Sequence, residues 1–327
     1  MEDKIATFLT ACSKIDFGDI RLSEEEKNFC HEWNKESILL CKSLPESTQA
    51  DAALFFLKYA QTSFEKLDLF RMYYVPAWSI VYWLIQSGPG GKGLRSQDIK
   101  NAKIAHFMAM FLHALDDHLI DQQLPVTHLT LLLRSHAWMI MNNALSSLAD
   151  GIDGGGRIVQ RFIDDYYRSI RSTAEIETLD RYCERFRKQM ATWLIVPVLM
   201  TKKMTPDTEF SDAVQTAYGS FGIAWRLLDD IKDIEEDLTN GTQSSAYIFL
   251  SKDIKDCRNR DNGLANSNYV KASLSYILQY RIIEKITERI CRELESAASI
   301  VDNYDMTALA NEFRSLYKPL ANRQEYL

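Results

Sequence analysis

The stretch from Phe111 to Gln123 sets three aspartates into a run that otherwise reads like a protein interior: F-L-H-A-L-D-D-H-L-I-D-Q-Q. On a helix Asp117 and Asp121 share a face, with Asp116 beside them. Clustered like charges destabilise a helix, and an unpaired buried carboxylate costs far more. A cation among the carboxylates makes such a stretch tolerable, and hard oxygen ligands favour magnesium. A second stretch, Phe221 to Gly241, repeats the pattern as F-G-I-A-W-R-L-L-D-D-I-K-D-I-E-E-D-L-T-N-G. Its Asp229, Asp233 and Asp237 recur every four residues and project from one helical face, with Asp230 alongside. Either stretch alone reads equally well as a solvated acidic face. The two together are the arrangement that holds metal ions between facing helices.

The rest of the chain is compatible with helices throughout. Only 13 Gly and 7 Pro occur in 327 residues, which disfavours a strand-and-turn-rich fold. The expected fold is all-α: a single-domain bundle of ten or more helices around a central apolar cavity. Residues 1–90 are expected to form N-terminal helices packing on a catalytic core of 91–327, since no repeat or change in composition marks a boundary. A net charge of −7 argues against nucleic acid as a partner. The apolar run near Val75–Ile85 is too short to span a membrane. Six cysteines lie scattered without CxxC pairs, and the chain opens on the polar Met1-Glu2-Asp3-Lys4. Reduced thiols and a cytoplasmic location are the expectation.

Local signals punctuate the bundle. Ser23 with Glu26 forms a capping box for a helix towards Leu44. Further helices are expected over Ala52–Leu69, Val75–Gln86, Ser96 to the first acidic motif, Thr127–Leu148 and Glu175–Lys203, the last with Pro197 able to kink it. Asp207 or Thr208 starts the helix of the second motif, Asn240-Gly241 ends it, and Val270–Val301 and Met306–Leu320 close the bundle. Tyr73, Tyr74 and Trp78 read as core aromatics. Asp164-Asp165 lacks a third carboxylate on its face and reads as part of a surface ion network.

The acidic stretches resemble those of the class I isoprenoid synthases, the all-helical superfamily of prenyl diphosphate synthases and terpene cyclases. Asp116-Asp117-His118-Leu119-Ile120-Asp121 resembles the first aspartate-rich motif and Asp229-Asp230-Ile231-Lys232-Asp233 the second. Glu236-Asp237-Leu238-Thr239-Asn240-Gly241 is similar to the segment that follows in geranylgeranyl-type synthases. The resemblance implies a Mg²⁺ cluster, of three ions, that grips the diphosphate of an allylic prenyl substrate. Asp116, Asp117, Asp121, Asp229, Asp233 and Asp237 are its implied ligands. Asp116, Asp117, Asp121, Asp229, Asp230 and Asp233 are the implied catalytic carboxylates. It also implies a basic residue about forty positions before the second motif, a distance that Arg185 and Lys188 match. Arg226 joins them as a substrate-binding candidate. The aromatic faces of Phe111, Phe221 and Trp225 either stabilise a carbocation or belong to the core. Arg323 is a candidate lid cation, and a homodimer is a possible assembly.

Three functions compete. A coupling enzyme must hold two diphosphates and needs two groups of cationic donors. Gly88-Pro89-Gly90-Gly91-Lys92-Gly93-Leu94-Arg95 is similar to the loop that holds isopentenyl diphosphate in elongating enzymes, but lies closer to the first motif than is usual there. Gln122-Gln123-Leu124-Pro125 stands where that family has paired arginines, and Thr242 where it has a lysine. The leading expectation is therefore a terpene synthase that cyclises or rearranges a single C15 or C20 prenyl diphosphate. The alternatives are a trans-prenyltransferase condensing isopentenyl diphosphate with an allylic diphosphate, and a non-catalytic helical subunit of a prenyl synthase.

Overall fold

The computed structural model describes residues 2–61, 68–69, 73–172, 176–260 and 267–321, and among them all regular structure is helical. The first helices are α1 (Glu2–Cys12), α2 (Glu24–Asn34), α3 (Glu36–Ser43), α4 (Glu46–Tyr59) and α5 (Pro76–Gln86). A 3₁₀ turn at Gly91–Gly93 leads into α6 (Ser96–Ile120), followed by α7 (His128–Ala149), α8 (Gly155–Arg171), α9 (Leu179–Gln189), α10 (Ala191–Met204) and α11 (Thr208–Lys232). Then come α12 (Ile234–Asn240), α13 (Ser245–Ile248), α14 (Lys252–Arg260), α15 (Ser267–Gln279), α16 (Ile282–Asp302) and α17 (Thr307–Ala321). None of these is long and apolar enough to cross a membrane.

Helices α6, α10 and α11 form the centre. Helix α10 is buried from Ala191 through Thr201 and packs on both of the others. Such all-round burial is what an unstriped apolar sequence demands, and each buried Leu, Ile or Val there contributes roughly 1.5–3 kcal/mol. Helix α7 covers α6, α16 covers α11, and α17 packs on α16 and α5. The N-terminal helices are tied in by polar contacts as well as packing. The Trp33 indole N–H donates to the Lys103 carbonyl oxygen at 2.6 Å, and the Asn34 Oδ1 accepts from the Leu69 N–H at 2.7 Å.

Several helices break where the periodicity continues. The helix expected from Ser23 to Leu44 stops at Asn34, whose amide bonds its own turn and the Leu69 backbone, and resumes at Glu36. The Ser23–Glu26 capping box is formed as read. The expected helix ending at Lys203 breaks at Met190, not at Pro197, which sits within α10. The break seats the Met190 thioether over Gly222, where a Cβ would lie 2.1 Å from the sulfur. Arg281, with φ +50°, separates α15 from α16 inside the expected Val270–Val301 helix. Arg323 lies outside the described residues.

A buried carboxyl joins the two ends of the chain. Glu312 of α17 accepts hydrogen bonds from Ser79 Oγ at 2.5 Å and Trp83 Nε1 at 2.6 Å, and faces Glu26 of α2. Burial raises its pKa to about 8, only partly offset by the two donors. A carboxyl whose folded pKa exceeds its unfolded value of about 4.3 favours the folded state at low pH and loses that contribution as pH rises through the folded value. Urea unfolding should therefore show stability falling between pH 5 and about 8.5 by a few kcal/mol. In Glu312→Gln this part of the slope should vanish; an unchanged slope would show that Glu312 stays ionised.

Candidate active site

Both acidic motifs sit at helix C-termini. Asp121 is the C-cap of α6, and Asp233 is at once the C-cap of α11 and the N-cap of α12. The macrodipole already makes a helix C-terminus negative, so aspartates there are doubly disfavoured in the absence of a cation. The helix of the second motif is not continuous: Asp233 marks a break, yet Asp233 N–H still donates to the Asp229 carbonyl and Asp237 N–H to that of Asp233. The three carboxylates thus keep the four-residue stagger that the sequence implied. Gly241, at φ +72°, then turns the chain in the left-handed region.

The two helix ends meet across a cavity of about 220 Å³, lined by Tyr73, His113, Ala114, Asp117, His118, Phe186, Met190, Trp193, Gly222, Trp225, Arg226 and Asp229. Asp117 comes from α6 and Asp229 from α11, so the motifs contribute one aspartate each to its wall. Trp225 meets Tyr73 at 5.8 Å and Trp193 at 5.5 Å between ring centroids, giving an aromatic lining below the carboxylates.

The carboxylates repel one another. Burial and the neighbouring Asp233, Asp230 and Asp117 push Asp229 up to about 6, against the pull of Arg226. Burial and Asp230 push Asp237 up to about 7. Asp121 is raised by burial, Asp117 and Glu236, and Asp233 by burial, Glu236 and Asp230. The Asp237 carboxylate is buried, and only Arg226 and the Ser244 hydroxyl favour its ionised form. An excess of crowded carboxylate oxygens fits a divalent cation. Among the described residues no three His, Cys, Asp or Glu side chains converge to enclose one ion unaided. Mg²⁺ keeps several waters and needs only one or two carboxylates together with substrate phosphates.

Adjacent aspartates have different surroundings. Asp116 accepts from Arg134 of α7 through both oxygens, at 2.5 and 2.9 Å, and is not part of the cavity wall. Asp230 is 1 % exposed. It accepts from the Tyr182 hydroxyl at 2.8 Å, the Ser245 N–H at 2.8 Å and Arg226 Nε at 2.9 Å. Its charge is thereby spent on holding α9, α11 and the start of α13 together. Asp116 is thus committed to Arg134 and Asp230 to its three donors; of the candidate aspartates Asp117 and Asp229 line the cavity, and Asp121, Asp233 and Asp237 stand outside its wall.

Of the basic candidates only Arg226 reaches the cavity, where it also lies 3.4 Å from Asp229. Arg185 and Lys188 line a separate cleft between α8 and α9, with Arg168, Arg181, Asp165 and Glu184. Helix α9 presents Phe186 to the cavity instead. Of the aromatic candidates Trp225 lines the cavity, whereas Phe111 packs on Phe56 and Phe221 on Tyr218 and Phe313 in the core. Tyr73, read as core, forms part of the wall, and His113, Phe186, Met190 and Trp193 join it without having been singled out. His113 had a signal, four residues before Asp117; the others had none short of the fold.

The Gly88–Arg95 loop lies at the other end of α6. Arg95 precedes α6, and its guanidinium is held by both oxygens of Asp98, which Lys203 also contacts at 2.8 Å. Asp117 follows Arg95 by twenty-two residues along α6, about 30 Å at 1.5 Å per residue. Gly90, at φ +80°, and Gly91 lie against Met204 and Leu84 backbone, where a Cβ would fall 2.4 and 2.2 Å from carbonyl oxygens. These glycines permit close packing of the loop on α5 and α10. The loop that is similar to an isopentenyl diphosphate loop thus lies far from the first motif, with Arg95 committed to Asp98; the Lys92 side chain lies outside the described residues.

No protein-family model matches the sequence, and no curated protein matches it significantly. Solved structures do match its fold. The heptaprenyl diphosphate synthase of Staphylococcus aureus aligns over 93 % of this chain and 100 % of its own, with a TM-score of 0.69 at 14 % identity. The geranylgeranyl pyrophosphate synthetase of the archaeon Geoglobus acetivorans aligns over 92 % and 100 %, with a TM-score of 0.64 at 15 % identity. Unliganded T. brucei FPPS aligns over 90 % and 99 %, with a TM-score of 0.59 at 13 % identity. The chain has the all-α fold of the prenyl diphosphate synthases.

Proposed function

We propose that this chain is a Mg²⁺-dependent enzyme that ionises an allylic prenyl diphosphate between Asp117 and Asp229 and transfers the prenyl group to isopentenyl diphosphate. One observation carries the reading: two acidic helix ends face each other across a single cavity walled by aromatic side chains. The likeness of the fold to heptaprenyl, geranylgeranyl and farnesyl diphosphate synthases supports prenyl transfer over the single-substrate cyclisation placed first from sequence.

Asp117 and Asp121 would hold the metal from α6, and Asp229, Asp233 and Asp237 from α11 and α12. Bound Mg²⁺ supplies Lewis-acid neutralisation of the charge that gathers on the departing diphosphate. Arg226, fixed by Asp230 and Tyr182, donates to the same group from the protein side. Trp193, Trp225, Phe186 and Tyr73 exclude water from the prenyl chain and turn aromatic faces to the cation.

Cyclisation of one substrate remains as a second reading because of Arg95. With its guanidinium committed to Asp98 about 30 Å away, that loop provides no cradle for a second diphosphate near the first. Incubation with Mg²⁺, farnesyl diphosphate and radiolabelled isopentenyl diphosphate separates the readings. Label in a longer prenyl diphosphate is the expected result. Terpene hydrocarbon or alcohol from farnesyl or geranylgeranyl diphosphate alone would favour the second reading. Absence of diphosphate release from any C10–C20 allylic substrate would overturn both and leave the regulatory subunit.

A further inference from the structure

We infer that His113 is the proton acceptor that ends the reaction, its imidazole removing a proton from the carbon beside the cationic centre of the prenyl intermediate. The inference rests on the proposed function and assigns its last step. His113 lies four residues before Asp117 on α6, hence on the same face and about one turn, roughly 6 Å, further into the protein. It forms part of the cavity wall, and its imidazole takes part in no hydrogen bond among the described residues. Of the other histidines on the helix, His106 is buried away from the cavity, and His118 lines it beside Asp117, at the carboxylate end. His106 Nε2 sits 2.8 Å from the Ala77 carbonyl and 3.2 Å from the Tyr218 hydroxyl, and His118 Nδ1 sits 3.0 Å from the Tyr59 hydroxyl.

The other groups at this depth cannot take a proton. Phe186, Met190, Trp193 and Trp225 carry no basic lone pair, and the Tyr73 hydroxyl donates to the Met110 carbonyl oxygen at 2.8 Å. The Trp193 ring meets the imidazole edge-on at 4.8 Å and fixes its plane. In the step, the C–H bond next to the cationic carbon breaks and its electron pair becomes the new C=C bond, which quenches the positive charge. The proton ends on an imidazole nitrogen. Burial and the nearby Arg226 disfavour the imidazolium formed, against the pull of Asp117, so the proton then passes to the released diphosphate.

The test compares wild type, His113→Phe and His113→Ala with Mg²⁺, farnesyl diphosphate and isopentenyl diphosphate, reading diphosphate release and products by mass spectrometry. Phenylalanine keeps a ring against Trp193 and removes the basic nitrogen. Turnover should fall roughly a hundredfold, the scale of a general base, with product shifted from alkene towards water-quenched alcohol. Added imidazole should restore part of the lost turnover in His113→Ala. Circular dichroism melts establish that each variant is folded; should the phenylalanine variant not fold, His113→Gln replaces it. Loss without rescue by imidazole, or a wild-type rate and product profile in His113→Phe, would overturn the assignment while leaving the proposed function intact. Absence of diphosphate release by the wild type would overturn the function and this step with it.

Discussion

Alanine at Asp117 or Asp229 should reduce Mg²⁺-dependent diphosphate release at least about a thousandfold, equivalent to some 4 kcal/mol of transition-state stabilisation, with the helical circular dichroism unchanged. These two aspartates are the ones that the separate helices bring to one cavity. Neither is needed for packing, since Asp117 is exposed and Asp229 is crowded by like charges. The metal-free protein provides an independent readout. Asp229 and Asp237 have folded values of about 6 and about 7, above the ordinary carboxylate value. Their contribution to stability is thus complete near pH 4 and is lost as pH rises through 6 to 7. In the absence of Mg²⁺ at pH 8, Asp229→Ala should be no less stable than wild type. Added Mg²⁺ should raise the Tm of the wild type and have a smaller effect on the variant, because a ligand stabilises only the state that binds it. Full turnover by either variant in magnesium buffer would remove the site assignment.

The neighbouring Asp230 should behave in the opposite way. Asp230→Ala leaves the Arg226 guanidinium, the Tyr182 hydroxyl and the Ser245 N–H without their buried acceptor. Breaking a buried ion pair from one side costs about 3–5 kcal/mol, which for a chain of this size lowers Tm by about 4–7 °C. Thermal and urea melts of the two variants side by side give the comparison: Asp229→Ala folded and inactive, Asp230→Ala markedly destabilised at every Mg²⁺ concentration. A Tm for Asp230→Ala within a degree or two of wild type would mean that its three donors find other partners. Asp116 is intermediate. Its pair with Arg134 is partly solvated, so its loss acts through the placement of the α6 C-terminus on α7 more than through stability.

The sequence by itself determined the fold class and the pair of helices that make the site. Scarce glycine and proline, and apolar runs longer than a strand needs, leave helices as the way to satisfy the buried backbone. Aspartates recurring every four residues place Asp229, Asp233 and Asp237 on one face in any helix, whatever surrounds it. The capping box at Ser23 and the left-handed Gly241 were readable for the same reason: their physics is confined to a few adjacent residues.

Only the tertiary structure decided which members of each cluster face the cavity. Asp116 and Asp117, or Asp229 and Asp230, are adjacent and chemically identical; they differ because α7 presents Arg134 to one, and α9 and α13 present Tyr182 and Ser245 to another. The same limit explains Arg185 and Lys188. Their distance along the chain from the second motif suited diphosphate, but the break at Met190 sets the rotation of α9 and turns Phe186 to the cavity instead. The Gly88–Arg95 loop was legible as a cation-bearing turn ahead of the expected Ser96 helix, but the pairing of Arg95 with Asp98 and the contact of Lys203 with the same carboxylate appear only in the tertiary structure. Spacing along a helix fixes which residues share a face; the packing of helices from distant parts of the chain fixes what that face meets.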